Sequence, residues 1–389
     1  MVRDVMNIRG VWLTNVASTA LNSRDSIKSA MNLLASSGFN TVYPVVWNKG
    51  FTLYKSDIMR TQFGPQFEID PFFASDGRDP LQEVVEEATA VGINVIPWFE
   101  YGFASSPNLS GGHLLNPTIN PTAKPQWRGI DQNGNILVNF QGDRLSWMNA
   151  FDPEVQDFMI SLMVEVVTKY DVTGVQGDDR LPGTPFNGGY DPQTKNLFKT
   201  KFGIDPPKLP SSFRPSDSPP QDTAWIQWRD FRANLLTDFL KKLQSAIKSV
   251  NSNLTLSMAP HVFPFGLNNL LQDTKIWVDQ DLVDTMHPQI YRTTLTAYDG
   301  EIQKILSSHP SKLDKFAPGV AIKVGSINNG ATEIQDIVKL NRNNGIEGEV
   351  FFFYEGLRNN SNEVARALRQ GRYKNFAIAS GITPTPENA

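Results

Sequence analysis

Short apolar runs rich in Val, Ile, Phe and Tyr recur along the chain and alternate with longer segments of helical period. That rhythm is the signature of repeated βα units around a parallel sheet. It predicts strands at 9–16, 40–47, 94–101, 172–178, 254–259, 284–291, 316–322 and 348–354. Helices are predicted near 25–36, 79–91, 153–169, 223–250, 267–279, 297–308, 331–343 and 360–370. Asp79-Pro80 and Asp152-Pro153 place a capping carboxylate before a first-turn proline. Gly38, Gly92 and Gly345 stand where helices should end.

Eight such units most simply close into an α/β fold of the (β/α)8 TIM-barrel type, expected over residues 1–372 as one domain, with 373–389 as a flexible tail or linker. An open doubly wound sheet is the alternative, but Asn15-Val16-Ala17-Ser18 follows the first strand where a phosphate-binding glycine loop would stand. The segments after strands two, three and four (about 48–78, 102–152 and 180–222) are long, whereas returns from helix to strand are short. All three excursions therefore fall on the face where a barrel keeps its active site.

Composition narrows the partners. Lys and Arg number 36 against 40 Asp and Glu, a net charge of -4, which supplies no electrostatic footprint for nucleic acid. No cysteine is present, which excludes a disulfide framework, a thiolate metal site and a cysteine nucleophile. No apolar run reaches the ~20 residues of a membrane helix. Met1-Val2-Arg3-Asp4 does not open a signal peptide. The four histidines, at 113, 261, 287 and 309, lack the paired spacing of a zinc helix, and no cofactor is predicted. Asp131-Gln132-Asn133-Gly134-Asn135 offers oxygens for calcium, but Asn133-Gly134 reads more directly as a hairpin turn.

The densest chemistry lies at strand four, where Val172-Thr173-Gly174-Val175-Gln176-Gly177 runs into Asp178-Asp179-Arg180 and a long Pro/Gly-rich loop. Successive strand side chains face opposite ways, so if Val175 packs outward, Gln176 and Asp178 point inward. Asp179 then leans over the rim of the same strand end. Paired acids there suit proton transfer and charge stabilisation on a sugar; the structural alternative is a helix cap or an Arg180 ion pair.

The motifs around this doublet resemble the bacterial glycosyl-hydrolase-like family ten. They include Arg9-Gly10-Val11-Trp12-Leu13-Thr14, Asn149-Ala150-Phe151-Asp152-Pro153-Glu154-Val155, the Asp178-Asp179 pair and Trp228-Arg229-Asp230-Phe231-Arg232. Trp277, the run Asp284-Thr285-Met286-His287-Pro288-Gln289-Ile290-Tyr291 and the run from Gly348 to Leu357 complete a likeness spanning roughly 8–370. The resemblance implies a barrel-fold glycoside hydrolase, usually exported or lipid-anchored in the cell envelope, with peptidoglycan glycan strands as a suggested substrate for some members. Export with the leader outside this sequence is therefore expected, with a cytoplasmic address the alternative. The oligomeric state is left open. Two departures stand out: Thr173 occupies the position of a family Asp, and Arg180 replaces a Tyr. Arg180 is accordingly expected to bind a substrate carboxylate or to pin Asp179.

Glycoside hydrolysis requires a carboxylic acid that protonates the leaving oxygen and a second group that attacks or stabilises the oxocarbenium-like centre. Two arrangements are open. Asp178 is the nucleophile and the acid is Glu100 after strand three or Glu355 after strand eight, because Leu254 to Phe263 at strand five holds no carboxylate. Otherwise the pair works alone: one Asp orients a substrate 2-acetamido group as internal nucleophile and the other is the acid/base. The first fits an α-glucan-like substrate and the second an amino-sugar polymer; a non-catalytic carbohydrate-binding barrel is the rival class. Parity at strand six puts Thr285, His287, Gln289 and Tyr291 on one face, with His287 deepest. Gln289 and Tyr291 are expected to reach the acids or substrate hydroxyls, and His261 is expected beside substrate, against the common structural role of a lone loop histidine. Trp98 shares a face with Glu100 and is either a stacking floor or core, as are Trp12 and Trp47. Tyr101, Arg180 and Tyr354 complete the substrate-binding candidates, and Trp127, Trp147 and Tyr190 on the long loops are expected as sugar-stacking platforms.

Overall fold

The computed structural model describes residues 7–138, 144–214 and 217–374. Among these, the parallel strands are β1 (Arg9–Leu13), β2 (Thr41–Pro44), β3 (Asn94–Val95), β4 (Gly174–Gly177), β5 (Thr255–Met258), β6 (Thr285–Met286), β7 (Gly319–Ala321) and β8 (Glu349–Phe352). The flanking helices are α1 (Arg24–Ser36), α2 (Pro80–Ala90), α3 (Pro153–Lys169), α4 (Thr223–Val250), α5 (Thr274–Asp279), α6 (Leu295–Ser308), α7 (Ala331–Asn343) and α8 (Tyr354–Gln370). The strands form one ladder in the order β7-β8-β1-β2-β3 and a second in the order β6-β5-β4. Parallel bridges meet at both seams: Trp98 with Gln176 beyond β3, and Met286 with Phe316 and Gln289 with Gly319 between β6 and β7.

Every predicted strand is present but several are shorter. Pro97 and Pro288 bring no N–H to the ladder, so the pairing after β3 and β6 survives only as isolated bridges. The caps form as expected: Asp79 accepts from the Gln82 N–H, and Asp152 from that of Glu154. The helix predicted over 267–279 divides into Phe265–Leu270 and α5. Leu271 takes a left-handed φ of 59° and Asp273 caps the second piece. In α8 the helical backbone is interrupted from Asn359 to Asn362. Tyr373, the first residue of the expected tail, is buried against Phe39 with ring centroids 5.4 Å apart and donates its hydroxyl to Glu349 at 2.5 Å. The rest of that tail, from 375 onward, lies outside the described residues.

Inside the strands the core is aromatic and polar together. Trp12 lies within about 6 Å of Tyr43, Trp98 and Phe352 and donates to the Gln176 Oε1 at 2.7 Å. Gln176 in turn donates to Ser257 at 2.8 Å. A buried Gln between rings must be hydrogen-bonded to be tolerated, and these two contacts orient the layer immediately beneath the acid doublet. Helices α1 and α2, α3 and α4, α6 and α7, and α7 and α8 pack side by side outside the strands.

The long excursions after β2, β3 and β4 carry their own structure: a hairpin of Trp47–Asn48 with Phe51–Thr52, a helix Asp57–Phe63, an antiparallel pair of Ala104–Ser106 with Ser146–Trp147, and a helix Pro192–Phe202. The Asp131–Asn135 segment is a turn: the Asp131 carboxylate accepts from the N–H groups of Asn133 and Asn135 at 2.8 and 2.9 Å, and Ile130 bridges Ile136. No described helix is long and apolar enough to cross a membrane.

Candidate active site

Strand β4 delivers the doublet. Gly177 permits the turn that follows, because a Cβ there would lie 2.3 Å from the Leu181 carbonyl oxygen and 2.5 Å from the Met258 sulfur. Asp178, inward like Gln176, is 3% exposed, and its Oδ1 accepts from Gln289 Nε2 at 2.7 Å. Gln289 is fixed by a second bond to the Ala259 carbonyl at 2.9 Å. Asp179 leans the other way, with Oδ2 3.3 Å from His261 Nε2 and Oδ1 3.3 Å from Arg180 Nη1. Arg180 Nη1 also stands 3.6 Å from Asp178 Oδ2 and donates to the Glu100 carbonyl at 2.9 Å, while its guanidinium lies over the Tyr101 ring at 5.6 Å. Gly102, with φ of 50°, lets the β3 loop approach closely: its Cβ position falls 2.1 Å from the Arg180 carbonyl oxygen. Glu100 accepts from the Asn48 side chain.

Two buried carboxyl groups, Asp178 and Asp179, and the partly buried Glu100 surround one guanidinium, and their proton affinities are displaced differently. Burial is the largest influence on Asp178, reinforced by the Asp179 charge, and its carboxyl is raised well above the ordinary range. Burial is also the largest influence on Asp179, but Arg180 and His261 together outweigh it and bring that carboxyl to about 2. Glu100 is raised, chiefly by burial, against the opposing effects of Arg180 and Asn48. Burial lowers Arg180, yet Asp179, Asp178 and Glu100 outweigh it and hold the guanidinium above its usual value. Burial, then Asp178 and Asp179, keep Tyr291 neutral; its ring stacks on Phe352 at 5.4 Å. The two adjacent carboxyls are thus displaced in opposite directions, Asp178 up and Asp179 down.

Of the sequence-predicted residues, Asp178, Asp179, Glu100, Arg180, Tyr101, His261, Gln289 and Tyr291 come together. Others do not. The expected strand through 354 ends at Phe352, so Glu355 falls in the first turn of α8, where it accepts from Ser18 Oγ at 2.8 Å and the Thr19 N–H at 3.2 Å and pairs with Arg358. Tyr354 is buried with it, under the Arg358 guanidinium. His287 is fully buried, held by the Ala317 carbonyl at 2.7 Å and Tyr43 at 3.1 Å, and burial lowers it to about 4. Trp98 is core, tilted against Trp12 and T-shaped to Phe352. Trp47 is also buried and acts through the loop, donating to the Gly102 carbonyl at 2.9 Å.

The loop aromatics are corrected outright. Trp127, Trp147 and Tyr190 are buried, because the excursions extend the one hydrophobic core: Trp127 packs on Phe63 and Phe158, and Tyr190 on Trp228 of α4. Residues missed at sequence level are Asn48, Phe352 and Gln272. Gln272 is fully buried and donates to the carbonyls of Asp178 and Pro182 at 3.2 and 3.0 Å; no motif or periodicity marks it.

Known proteins share this architecture. The chain superposes on the PgaB (BpsB) glycoside hydrolase domain from Bordetella bronchiseptica with a TM-score of 0.66 at 10% identity, covering 97% of this chain and 100% of that one. It superposes on a beta-galactosidase from Bacillus circulans sp. alkalophilus with a TM-score of 0.62 at 11% identity, covering 95% and 56%. At these identities the likeness is one of fold. In sequence it is 26% identical over 309 residues to the glycosyl hydrolase DigH of Escherichia coli (strain K12), covering 73% of this chain. It spans 62% of the length of that relative. Residues 7–331 match the family described as Glycosyl hydrolase-like 10, and the chain belongs to that family.

Proposed function

We propose that the eight strands close into a (β/α)8 barrel whose Asp178–Asp179 pair hydrolyses glycosidic bonds in an amino-sugar polysaccharide, with peptidoglycan glycan strands as the substrate and the cell envelope as the place of action. The bridges at both seams support closure, and family membership supports the reaction class. The observation that carries the reading is the unlike setting of two adjacent carboxyl groups: Asp178 is buried and bonded to the neutral Gln289, whereas Asp179 lies 3.3 Å from both Arg180 and His261, in keeping with an upward displacement of the first and a lowering of the second to about 2. A carboxyl that holds its proton is a poor nucleophile and a good proton donor. Asp178 is therefore the general acid at the leaving oxygen. Asp179 remains the anion that receives the N–H of a 2-acetamido group and stabilises the positive charge as that group closes on the anomeric carbon, the substrate-assisted exception among glycosidases. This favours the amino-sugar reading over an α-glucan route, in which Asp178 would have to be ionised. Glu100 would then tune the pair from the β3 side.

The experiment compares cleavage of an N-acetylated glucosamine polymer with that of its deacetylated counterpart by native protein, Asp178→Asn and Asp179→Asn. Native protein is expected to cleave only the acetylated polymer, and each variant to lose about 10²- to 10⁴-fold in kcat. Equal turnover of both polymers removes substrate assistance. Binding without cleavage by native protein assigns the chain to the carbohydrate-binding class.

A further inference from the structure

With Trp127, Trp147 and Tyr190 buried, the mouth has lost the aromatic platforms expected of it, yet one exposed ring stands beside the acids. Phe265 is 43% exposed and meets the His261 ring edge-on at 5.2 Å, and His261 is itself 3.3 Å from Asp179. Phe72, more exposed at 58%, lies in the excursion after β2 and packs on Phe73.

The segment that carries Phe265 is held rigidly to the acid strand. Gln272 Oε1 accepts from the His261 N–H at 3.2 Å, its own N–H reaches the Gly266 carbonyl at 3.1 Å, and its Nε2 binds the Asp178 and Pro182 carbonyls. The far side of the short helix is tied to α4 by Arg229 Nη1 on Asn268 Oδ1 at 2.7 Å. A large apolar ring kept in solvent on a fixed support loses little conformational freedom on binding, which is the economy an aromatic contact offers.

We propose that Phe265 is the stacking platform of a sugar subsite flanking the acid pair, receiving the apolar C–H face of the pyranose next to the scissile bond. The assignment rests on the glycosidase reading for the identity of its ligand, but not on turnover. A pyranose lying on this ring reaches the Asp179 side of the doublet past His261, so Phe265 sets how tightly the chain is held while the acids set whether it is cut.

The test is calorimetric titration of N-acetylglucosamine oligomers into Asp178→Asn protein, alone and with Phe265→Ala or Phe265→Trp added. Phe265→Ala is expected to weaken binding about five- to tenfold and Phe265→Trp to restore it within about twofold. Circular dichroism confirms that each variant is folded. Equal affinity with and without the ring, or no oligomer binding by the Asp178→Asn protein, overturns the subsite. Failure of native protein to cleave while Phe265-dependent binding persists would instead overturn the catalytic reading and leave this one standing.

Discussion

Replacing Arg180 by Met tests the electrostatic account of the site most directly, because it deletes the one cation that Asp178, Asp179 and Glu100 share while keeping an apolar stem of similar length. Opposite unit charges 3.3 Å apart attract by about 5 kcal/mol at an effective dielectric constant of 20. Burial opposes this and His261 adds to it: the net displacement of Asp179 from 3.8 to about 2 corresponds to about 2.4 kcal/mol. Asp179 is held below its unfolded value, so its stabilising contribution is present above pH ~4 and is lost as pH falls from there toward 2. Without Arg180, burial of Asp179 is opposed by His261 and the hydrogen bond with Asp178, and its carboxyl should rise. The variant is expected to lose about 3–5 kcal/mol at pH 7 by urea unfolding, the cost of an uncompensated buried charge. The acid-induced loss native protein shows between pH ~4 and ~2 should shrink, and the acidic limb of kcat/KM for glycan cleavage should move upward. An unchanged urea midpoint at pH 7 together with an unshifted acidic limb would refute the shared-cation account.

Asp178→Asn should lower turnover by about 10²- to 10⁴-fold without destabilising the fold. The native carboxyl is raised, so its contribution is complete below pH ~4 and declines as pH rises, whereas Asn stays neutral and still accepts from Gln289. Thermal unfolding at pH 7 should occur at or above the native midpoint, and a fall of several degrees would contradict the protonated state. Gly102→Ala drives a methyl into the Arg180 carbonyl from a left-handed backbone. A loss of about 2–4 kcal/mol with reduced activity is expected, while native-like denaturation would place the β3 loop farther from β4 than found here. Arg232 is buried with no carboxylate partner among the described residues, is lowered by burial to about 9, and donates to the carbonyls of Phe186 and Gly188 at 2.6 Å. Arg232→Met strands both acceptors and should cost about 2–4 kcal/mol. Limited proteolysis should then cut first between 181 and 191; cleavage elsewhere would show that Arg232 does not fasten this loop.

The strands and most helices were legible because each obeys a local rule. An apolar run buried on both faces marks a parallel strand, and Asp-Pro or a terminal Gly marks a helix end. Asp178 was legible for the same reason, since alternation from Val175 is enough to turn it inward. What failed depends on contacts distant in sequence. Nothing near Trp127 reveals that Phe63 and Phe158 will enclose it, so a loop tryptophan read as a sugar platform is in fact part of the continuous core. Glu355 failed through a shift of two residues, because the strand stops at Phe352 and parity no longer applies beyond it. Gln272 leaves no local trace at all: its value lies in accepting from His261 and donating to Asp178 and Pro182, partners up to 94 positions away.

The doublet itself shows why adjacency in sequence serves chemistry here. Neighbouring residues at a strand end face opposite ways, so Asp178 and Asp179 are handed to different walls: Asp178 to Gln289 beyond β6, a neutral donor, and Asp179 to His261 beyond β5 and to Arg180. A neutral donor satisfies a carboxyl in either protonation state, whereas a cation rewards only the ionised one. Two identical side chains a single peptide apart are thus displaced in opposite directions by their surroundings, Asp178 up and Asp179 down. Arg180 stands 3.3 Å from Asp179 and 3.6 Å from Asp178, a difference too small to separate them by itself. The asymmetry comes from His261, which contacts Asp179 and not Asp178, and from the deeper burial of Asp178 beside a neutral donor.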